Sequence, residues 1–540
     1  MGTYSFDVIR DSWIPVKRLT GEKECVNLRT LFENAHEYQY LLDEPNILYS
    51  YGVYNFLVAM FASIYHPETI EDKEEILESG HFEISKFDAY IQKCEKNRPN
   101  CFNLFGENPF YQNKYATMKE SKKTGEIEKN KPTMVGKIAL HIPSGNNSFF
   151  FSNDELIGKK IDFIECVKAL LSYGLFQPEQ DGTNTAKGVN GLDHPMYFVL
   201  KGNTLFDCVV LNTITEETWK SISTTPYIGN AAWEMEPERV SKKLVKSISM
   251  VEGLTFQNRQ VLINEEGIDS NKLITTIYFK AGNEFDFKNN VSCSFWHQPN
   301  SAYYQIKDKK TEEPLNEYRL IYVKDNKYLW TTFGDIFNLV NSKVRISTVS
   351  EYLYLKSESD VIKSKYLSYM IFYATTASGY GPFGYQGVYS TQIPFGILQN
   401  KEYLEIYNSL LRDVSSIGEC MTFNFREDKN KVVPGKKAAW KLDDERCANE
   451  YYSVMDMKIL PKFFKAILDI DYSDVSAFFD ICDSFKKEVK NLAVSMYKDI
   501  YLKQVRNGLI RCKEEKIRGK YGNLVYDLSN FEKTVNSRLS

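Results

Sequence analysis

The stretch S-D-V-S-A-F-F-D-I-C-D-S-F-K-K-E-V-K-N-L-A-V-S-M, residues 473–496, sets Phe478, Cys482, Phe485, Val489, Leu492 and Met496 at alternating steps of four and three. That spacing is an a/d seam, which suits helices packed nearly parallel, crossing at roughly 20°. Ser473 is placed to cap the helix, with Asp474 in its first turn against the positive helix end. Upstream, Tyr403, Ile406, Leu410, Val414 and Ile417 make a second stripe, and Trp440–Leu468 reads as a third helix, kinked or broken at Pro461. Leu502–Lys520 reads as a fourth. Its Lys503, Arg506, Arg511, Lys513, Lys516, Arg518 and Lys520 outnumber Glu514 and Glu515, so it is either a solvated face or a protein or phosphate contact. Four such helices make a bundle over residues 396–540.

Residues 1–395 have a different grammar. At 540 residues the chain is too long for one core. Phe6–Val16 alternates like an edge strand that stops at Pro15, Cys25–Leu28 reads as a second strand, and a helix starts at Leu31. Ile47–Ile64 is a strong helix burying Val53, Leu57, Met60, Phe61 and Ile64. Residues 113–137 are lysine-rich and read as a mobile charged linker. Gly253–Ile263 holds the best hairpin strand, and Ser292–Leu355 is irregular. The fold class is therefore α+β: a mixed α/β N-terminal domain of irregular topology, followed by the four-helix bundle.

The middle of the chain holds the functional candidates. Ile161, Ile164, Val167, Leu170, Leu171 and Leu175 define one helix, ended by Gln177-Pro178. Loops flank it on both sides: H-I-P-S-G-N-N-S-F-F-F at 141–151 and Q-D-G-T-N-T-A-K-G-V-N-G-L-D-H-P at 180–195. From Glu179 to His194 there is little apolar to bury, and Gly182, Gly188 and Gly191 free the backbone. Such a loop either lies solvated on the surface or lays its amides against something flat and polar, such as nucleic acid.

Composition narrows the classes. Hydrophobic content of 43% and charged content of 26% describe an ordinary globular chain. A net charge of -4 excludes a free-standing DNA binder with a basic footprint, so any nucleic-acid site is a local patch. Ten cysteines without a C-x-x-C pair read as reduced thiols in a cytoplasm. No secretory signal pattern opens the chain, and the apolar run Val53–Tyr65 is too short and broken to cross a bilayer. No internal repeat is evident.

Catalytic signatures are missing: there is no H-E-x-x-H, G-x-S-x-G or Walker A loop. Gly379, Gly381 and Gly384 have G-x-G-x-x-G spacing, but Pro382 interrupts them and no helix opens after them. His141 and His194 lack a third metal ligand at a known spacing, and Asp11, Asp181 and Asp193 read as solvated acids. These residues favour a binding module over an enzyme, with no cofactor.

Several motifs, in this order, carry a family resemblance: D-x-W-I-P-V (Asp11–Val16), N-P-F-Y-Q (Asn108–Gln112), S-G-N-N (Ser144–Asn147), L-K-G-N-T-L-F-D-x-V-V-L-N (Leu200–Asn212) and W-E (Trp233, Glu234). The chain resembles, over essentially its whole length, the CasA family, the large subunit of the type I-E CRISPR surveillance complex Cascade. The resemblance implies a non-catalytic, cytoplasmic protein whose partners are other Cascade subunits, the guide RNA, double-stranded target DNA and a helicase-nuclease, with no membrane. It implies that the chain reads the protospacer-adjacent motif (PAM), opens the duplex and docks the nuclease. An RNA-anchored scaffold with little DNA reading is the other role it allows. Some members carry a cysteine zinc knuckle; no matching cysteines occur here, and no metal is expected.

Carried to residues, the resemblance assigns an RNA or subunit contact loop to Ser144, Gly145, Asn146, Asn147 and Phe149. A PAM-reading loop falls on Gly182, Thr183, Asn184, Thr185, Lys187 and Gly188, where Thr183, Asn184 and Thr185 replace expected glycines. A minor-groove lysine falls at Lys280. A strand-splitting glutamine falls at Gln386, at the tip of a glycine-rich turn.

Overall fold

The computed structural model describes residues 4–120, 125–139, 141–142, 160–176, 186–189, 196–286, 289, 299–301, 303–307, 311, 313–320, 330, 344–345, 359–376, 383–391, 397, 400–421, 423–426, 441–444, 446–470, 474–506 and 528–540. The chain divides into two compact units, residues 1–326 with 342–391, and residues 327–341 with 392–540.

The first unit is built around the helix Ile47–Tyr65. Asn46 caps it, its side chain accepting from Leu48 N at 3.0 Å, and His66 ends it with a left-handed φ of 42°. Every residue from Leu48 to Ala62 is buried, whereas Ile64 is only half-buried. A one-sided stripe was the expectation; a helix apolar all round needs cover all round. The cover comes from helices Ile84–Asn97, Phe163–Phe176, Leu205–Leu211 and Met250–Leu254 and from strands Tyr366–Thr376 and Phe383–Thr391. The run is thus longer than the sequence suggested. By length and composition it passes for a membrane span, yet 83% of that window is buried inside the protein.

Tyr366–Thr376 is the middle strand of an antiparallel sheet, between Met196–Gly202 and Phe383–Thr391. Tyr197 of this sheet stacks on Tyr51 of the central helix, ring centroids 4.0 Å apart. A second sheet orders Thr133–Met134, Thr276–Ala281 and Arg259–Ile263. Two expectations are corrected here. Pro15 lies inside a strand, Ile14–Lys17, paired with Lys23–Val26. An isolated two-stranded ribbon has open edges, where a missing N–H is tolerated. Residues 113–137 are also not a plain linker. They hold a hairpin, Met118–Glu120 with Ile127–Lys129, and the strand Thr133–Met134; Asn130 Nδ2 bonds Ala116 O at 2.9 Å. Backbone pairing needs no apolar side chain, so composition hid it.

Four of the five family motifs prove to be fold devices, the fifth, Ser144–Asn147, lying outside the described residues. Trp13 is fully buried and donates from Nε1 to Val8 O at 2.9 Å. Gln112 donates to Leu104 O at 2.7 Å and accepts from Ile263 N at 2.8 Å. Trp233 donates to Tyr90 Oη at 2.9 Å. Thr204 and Asp207 form a capping box on Leu205–Leu211, and Asn212 closes both backbone groups of Leu200 at 2.8 Å each.

Lys73 is buried, with Nζ donating to Leu211 O at 3.0 Å and Thr213 O at 2.9 Å. Desolvation pushes its pKa down to about 7. The unfolded chain then binds more protons than the folded one between that value and the ordinary lysine range, so this group adds stability as pH rises through that window. Wild type should gain about 2 kcal/mol from pH 7 to pH 9 relative to Lys73→Met. Parallel thermal melts at both pH values check this; an unchanged difference would refute it.

The second unit is the helical bundle. It comprises Lys401–Glu419, Arg446–Val454 running on to Leu460–Leu468, Val475–Arg506 and Leu528–Leu539. The seam holds at Phe478, Cys482, Phe485 and Val489, then moves to Ala493 and Tyr497, leaving Leu492 and Met496 half-buried. A straight helix drifts about 20° per heptad from a 3.5-residue repeat, so steps of four replace four-three alternation. Phe463 stacks on Phe485 at 4.1 Å and Phe531 on Tyr497 at 4.0 Å.

Boundaries differ from expectation at three places. Lys441–Asp444 is a strand paired with Phe423–Arg426, so the helix starts at Arg446. Instead of a simple break at Pro461, residues Met455–Ile459 form a π-helical turn directly before it, a widening that accommodates a ring with no N–H. In the first turn of the next helix Asp474 accepts from Ser476 N at 3.0 Å, and Ser473 lies outside the described residues. Leu502–Arg506 is the end of the 32-residue helix Val475–Arg506, and among the described residues the next helix is Leu528–Leu539; the rest of the expected basic helix, residues 507–520, lies outside the described residues. Trp330, from the segment 327–341, is fully buried 5.7 Å from Tyr452, which explains why that segment belongs with the bundle.

Candidate nucleic-acid interface

In the chain the helix Phe163–Phe176 lies between the two candidate loops, and its 14 residues span about 21 Å. Against the central helix it sets Glu165, Ser172 and Phe176, which meet Tyr49, Gly52 and Tyr51, while Tyr173 is turned toward Arg259.

The first foot is an acid-rich knot. His141 Nε2 lies 2.9 Å from Glu165 Oε1. Tyr49, from the central helix, reaches both, with Oη 3.4 Å from Glu165 Oε1 and 3.3 Å from His141 Nδ1. Burial, then the charge of Glu165, raises the Tyr49 pKa, so the phenol stays protonated and donates. Lys168 pairs with Glu44 in the same wall. Together with Asp162 these groups line a cavity of about 610 Å³. Three carboxylates against one lysine and one histidine suit a basic partner surface better than phosphate. Ser144, Gly145, Asn146, Asn147 and Phe149, assigned to RNA or subunit contact, lie outside the described residues.

The second foot is pinned from below. Gly182, Thr183, Asn184 and Thr185 lie outside the described residues, but Ala186–Val189 are placed. Arg259, 2% exposed, donates from Nη1 to Ala186 O at 2.8 Å and to Asn258 O at 2.9 Å. Asn258 Nδ2 adds a long contact to Ala186 O at 3.4 Å, and Phe285 N donates to Lys187 O at 2.8 Å. Tyr173 holds the Arg259 carbonyl at 3.2 Å. Val189 closes a small apolar cluster with Ile248 and Phe285. Gly188 therefore needs correction. It is buried, and a Cβ there would stand 3.0 Å from Asn258 Nδ2, so the missing side chain makes room for the protein's own amide and not for a groove. Lys187 is exposed, as a phosphate contact requires.

Lys280 is not a surface lysine. It sits in the strand Thr276–Ala281 opposite Gln260, is 8% exposed, and has no ion-pair partner among the described residues. Burial lowers its pKa. An amine so placed gains from any anion that comes within reach.

Gln386 is likewise not at a turn tip. It lies within the strand Phe383–Thr391, its backbone opposite Ala374. The ladder pairs Thr375 with Tyr385 and Thr376 with Phe383, so Gly384 is the extra residue of a bulge two positions before Gln386. The interrupted glycine motif thus contributes a bulge at Gly384, while Gly379 and Gly381 lie outside the described residues.

Sequence reasoning missed the anchors Tyr49, Glu165, Asn258 and Arg259. One signal was available: an asparagine-arginine pair heading the apolar strand V-L-I is costly to bury without a purpose. Among the described residues, no three His, Cys, Asp or Glu side chains group to hold a metal.

A family profile described as CRISPR-associated protein Cse1 matches residues 7–455. Several solved structures share the fold. The chain superposes on Cse1 from Acidimicrobium ferrooxidans with a TM-score of 0.69 and 15% identity, covering 100% of this chain and 99% of that one. Thermobifida fusca Cse1 gives a TM-score of 0.69 at 12% identity, covering 99% and 98%. A chain of a CRISPR RNA-guided surveillance complex gives 0.63 at 15% identity, covering 99% of both. No curated protein matches the sequence.

Proposed function

We propose, from the premise that the chain belongs to the CRISPR-associated protein Cse1 family, that it is the large, non-catalytic subunit of a cytoplasmic RNA-guided surveillance complex. In this role it reads the PAM on duplex DNA, helps open the duplex for guide RNA pairing and docks a helicase-nuclease. The observation that carries the reading is the second foot. A segment rich in glycine and small polar residues leaves a rigid base pinned by Arg259, with exposed Lys187 beside it. A backbone that must enter a narrow groove needs such a base, because minor-groove readout rests on close approach more than on long side chains. The first foot, at the other end of the same helix, serves assembly with the complex. Its acidic lining favours a second reading, a scaffold that contacts basic subunit surfaces and reads little DNA.

One experiment separates the roles within the assembled complex. Gly182→Trp should lower the preference for PAM-bearing over PAM-less duplex by about tenfold or more, the scale of one lost base-pair discrimination. Gln386→Ala should keep that preference but slow strand opening, since it removes a planar group from the first unpaired step. Permanganate footprinting on closed and pre-melted targets reads both; pre-melting should rescue Gln386→Ala and rescue Gly182→Trp less. If both variants open duplex like wild type, DNA is sensed elsewhere and the scaffold reading stands.

A further inference from the structure

The two feet share one helix, and each is tied to a different end of it. In the first turn of Phe163–Phe176, Glu165 N donates to Asp162 Oδ1 at 2.7 Å. The Glu165 carboxylate is held from outside the helix, by His141 Nε2 at 2.9 Å and Tyr49 Oη at 3.4 Å. Nine residues on, about 14 Å along the axis, Gly174 lies against Asn258, whose Oδ1 would stand 3.5 Å from a Cβ there. Tyr173 beside it donates to Arg259 O at 3.2 Å. Asn258 and Arg259 are the residues that hold Ala186 O.

Between the ends, every residue from Cys166 to Tyr173 is buried, and Ser172 backs onto Gly52. A close-packed interior has low compressibility, so it passes a displacement on instead of absorbing it. The ends differ in what can alter them. Asn258 and Arg259 are buried, whereas the His141 and Glu165 side chains are 35% and 32% exposed. The Glu165 end is thus the one that a partner or a substitution reaches.

The geometry points to Glu165 as a positioning residue for the second foot, acting through the helix from its far end. When its ties are lost the first turn shifts, Tyr173 and Gly174 follow, and Arg259 and Asn258 hold Ala186 less well. The link stands on these contacts alone. Its use, which makes PAM reading depend on the state of the first foot, rests on the function proposed above.

Hydrogen exchange of the full chain tests the link. Phe285 N donates to Lys187 O at 2.8 Å, so its amide reports on the second foot, and the helix Leu205–Leu211 serves as internal reference. Glu165→Ala should speed exchange at Phe285 about fivefold and leave Leu205–Leu211 unchanged. Tyr49→Phe should act in the same direction, about twofold. Glu165→Gln, whose amide oxygen still accepts from Tyr49, should exchange as wild type. In an Arg259→Leu background Glu165→Ala should add less than about twofold, because the link is already cut; two unconnected structural losses would multiply. In the assembled complex Glu165→Ala should lower PAM preference about threefold with guide RNA retained. Exchange at Phe285 that stays at wild type, that rises equally at Leu205–Leu211, or that rises by the full factor in the Arg259→Leu background overturns the proposal. Faster exchange at Phe285 with unchanged PAM preference upholds the link and overturns the PAM reading of this foot.

Discussion

Gly52→Val should destabilise the first unit by about 3 kcal/mol or more and lower its melting temperature by several degrees. Gly52 sits inside the central helix, where glycine costs about 1 kcal/mol relative to alanine, so its presence needs a reason. The reason is Ser172. A Cβ on Gly52 would stand 2.9 Å from the Ser172 Cα and clash with its hydroxyl, which is itself held by Lys168 O at 2.8 Å. A flexible side-chain tip can step aside; a helix backbone cannot without moving the whole helix Phe163–Phe176 and both loop feet with it. Gly52→Ala should be milder, and Ser172→Gly should restore part of its loss, because it removes the Cβ and hydroxyl while leaving the backbone contact. Thermal melts of the four proteins check this. A Gly52→Val protein that melts with wild type would mean the helices do not approach this closely.

Arg259→Leu should have the next largest effect, and a more local one. It leaves Ala186 O and Asn258 O buried with their main donor removed, a loss of about 2–4 kcal/mol. Opening of the segment 186–189 should become easier, and its amide exchange faster by about 30-fold for 2 kcal/mol of that loss. Arg259 is a positioning residue in the proposed function, so the assembled complex should keep its guide RNA and lose PAM preference. Arg259→Lys should be milder, because a single nitrogen, Nη1, serves both carbonyls, and one ammonium can do the same, as Lys73 does at Leu211 O and Thr213 O. Unchanged exchange at 186–189 would show that Phe285 and Asn258 hold the foot alone.

What could be read from the residues follows a physical division. The bundle was legible because helix period writes itself into apolar spacing; only the drift from Leu492 and Met496 to Ala493 and Tyr497 needed the packed partner. The resemblance was legible because Trp13, Gln112, Thr204, Asp207 and Trp233 hold the fold, and such residues have few substitutes. The central helix was misjudged because a stripe assumes one wet face, and this helix has none. Pairings between distant segments, such as Thr133–Met134 on Thr276–Ala281, leave no local mark. The candidate site was the least legible. Lys280 and Gln386 were placed by analogy, and burial and strand register, which decide what each can touch, are properties of the assembled sheet.

The helix Ile47–Tyr65 also sets a timetable for synthesis. Its cover includes the strand Phe383–Thr391, and 391 − 65 = 326 residues separate the helix end from the end of that strand. At about 5–20 residues per second, the ribosome needs roughly 16–65 s to supply them. Throughout that interval a segment with the length and greasiness of a membrane span has no complete native cover. Nascent chains of this protein should therefore depend on chaperone binding near residue 60 more than on any later segment, and pausing translation before residue 383 should send the protein to aggregation rather than to a stable fragment.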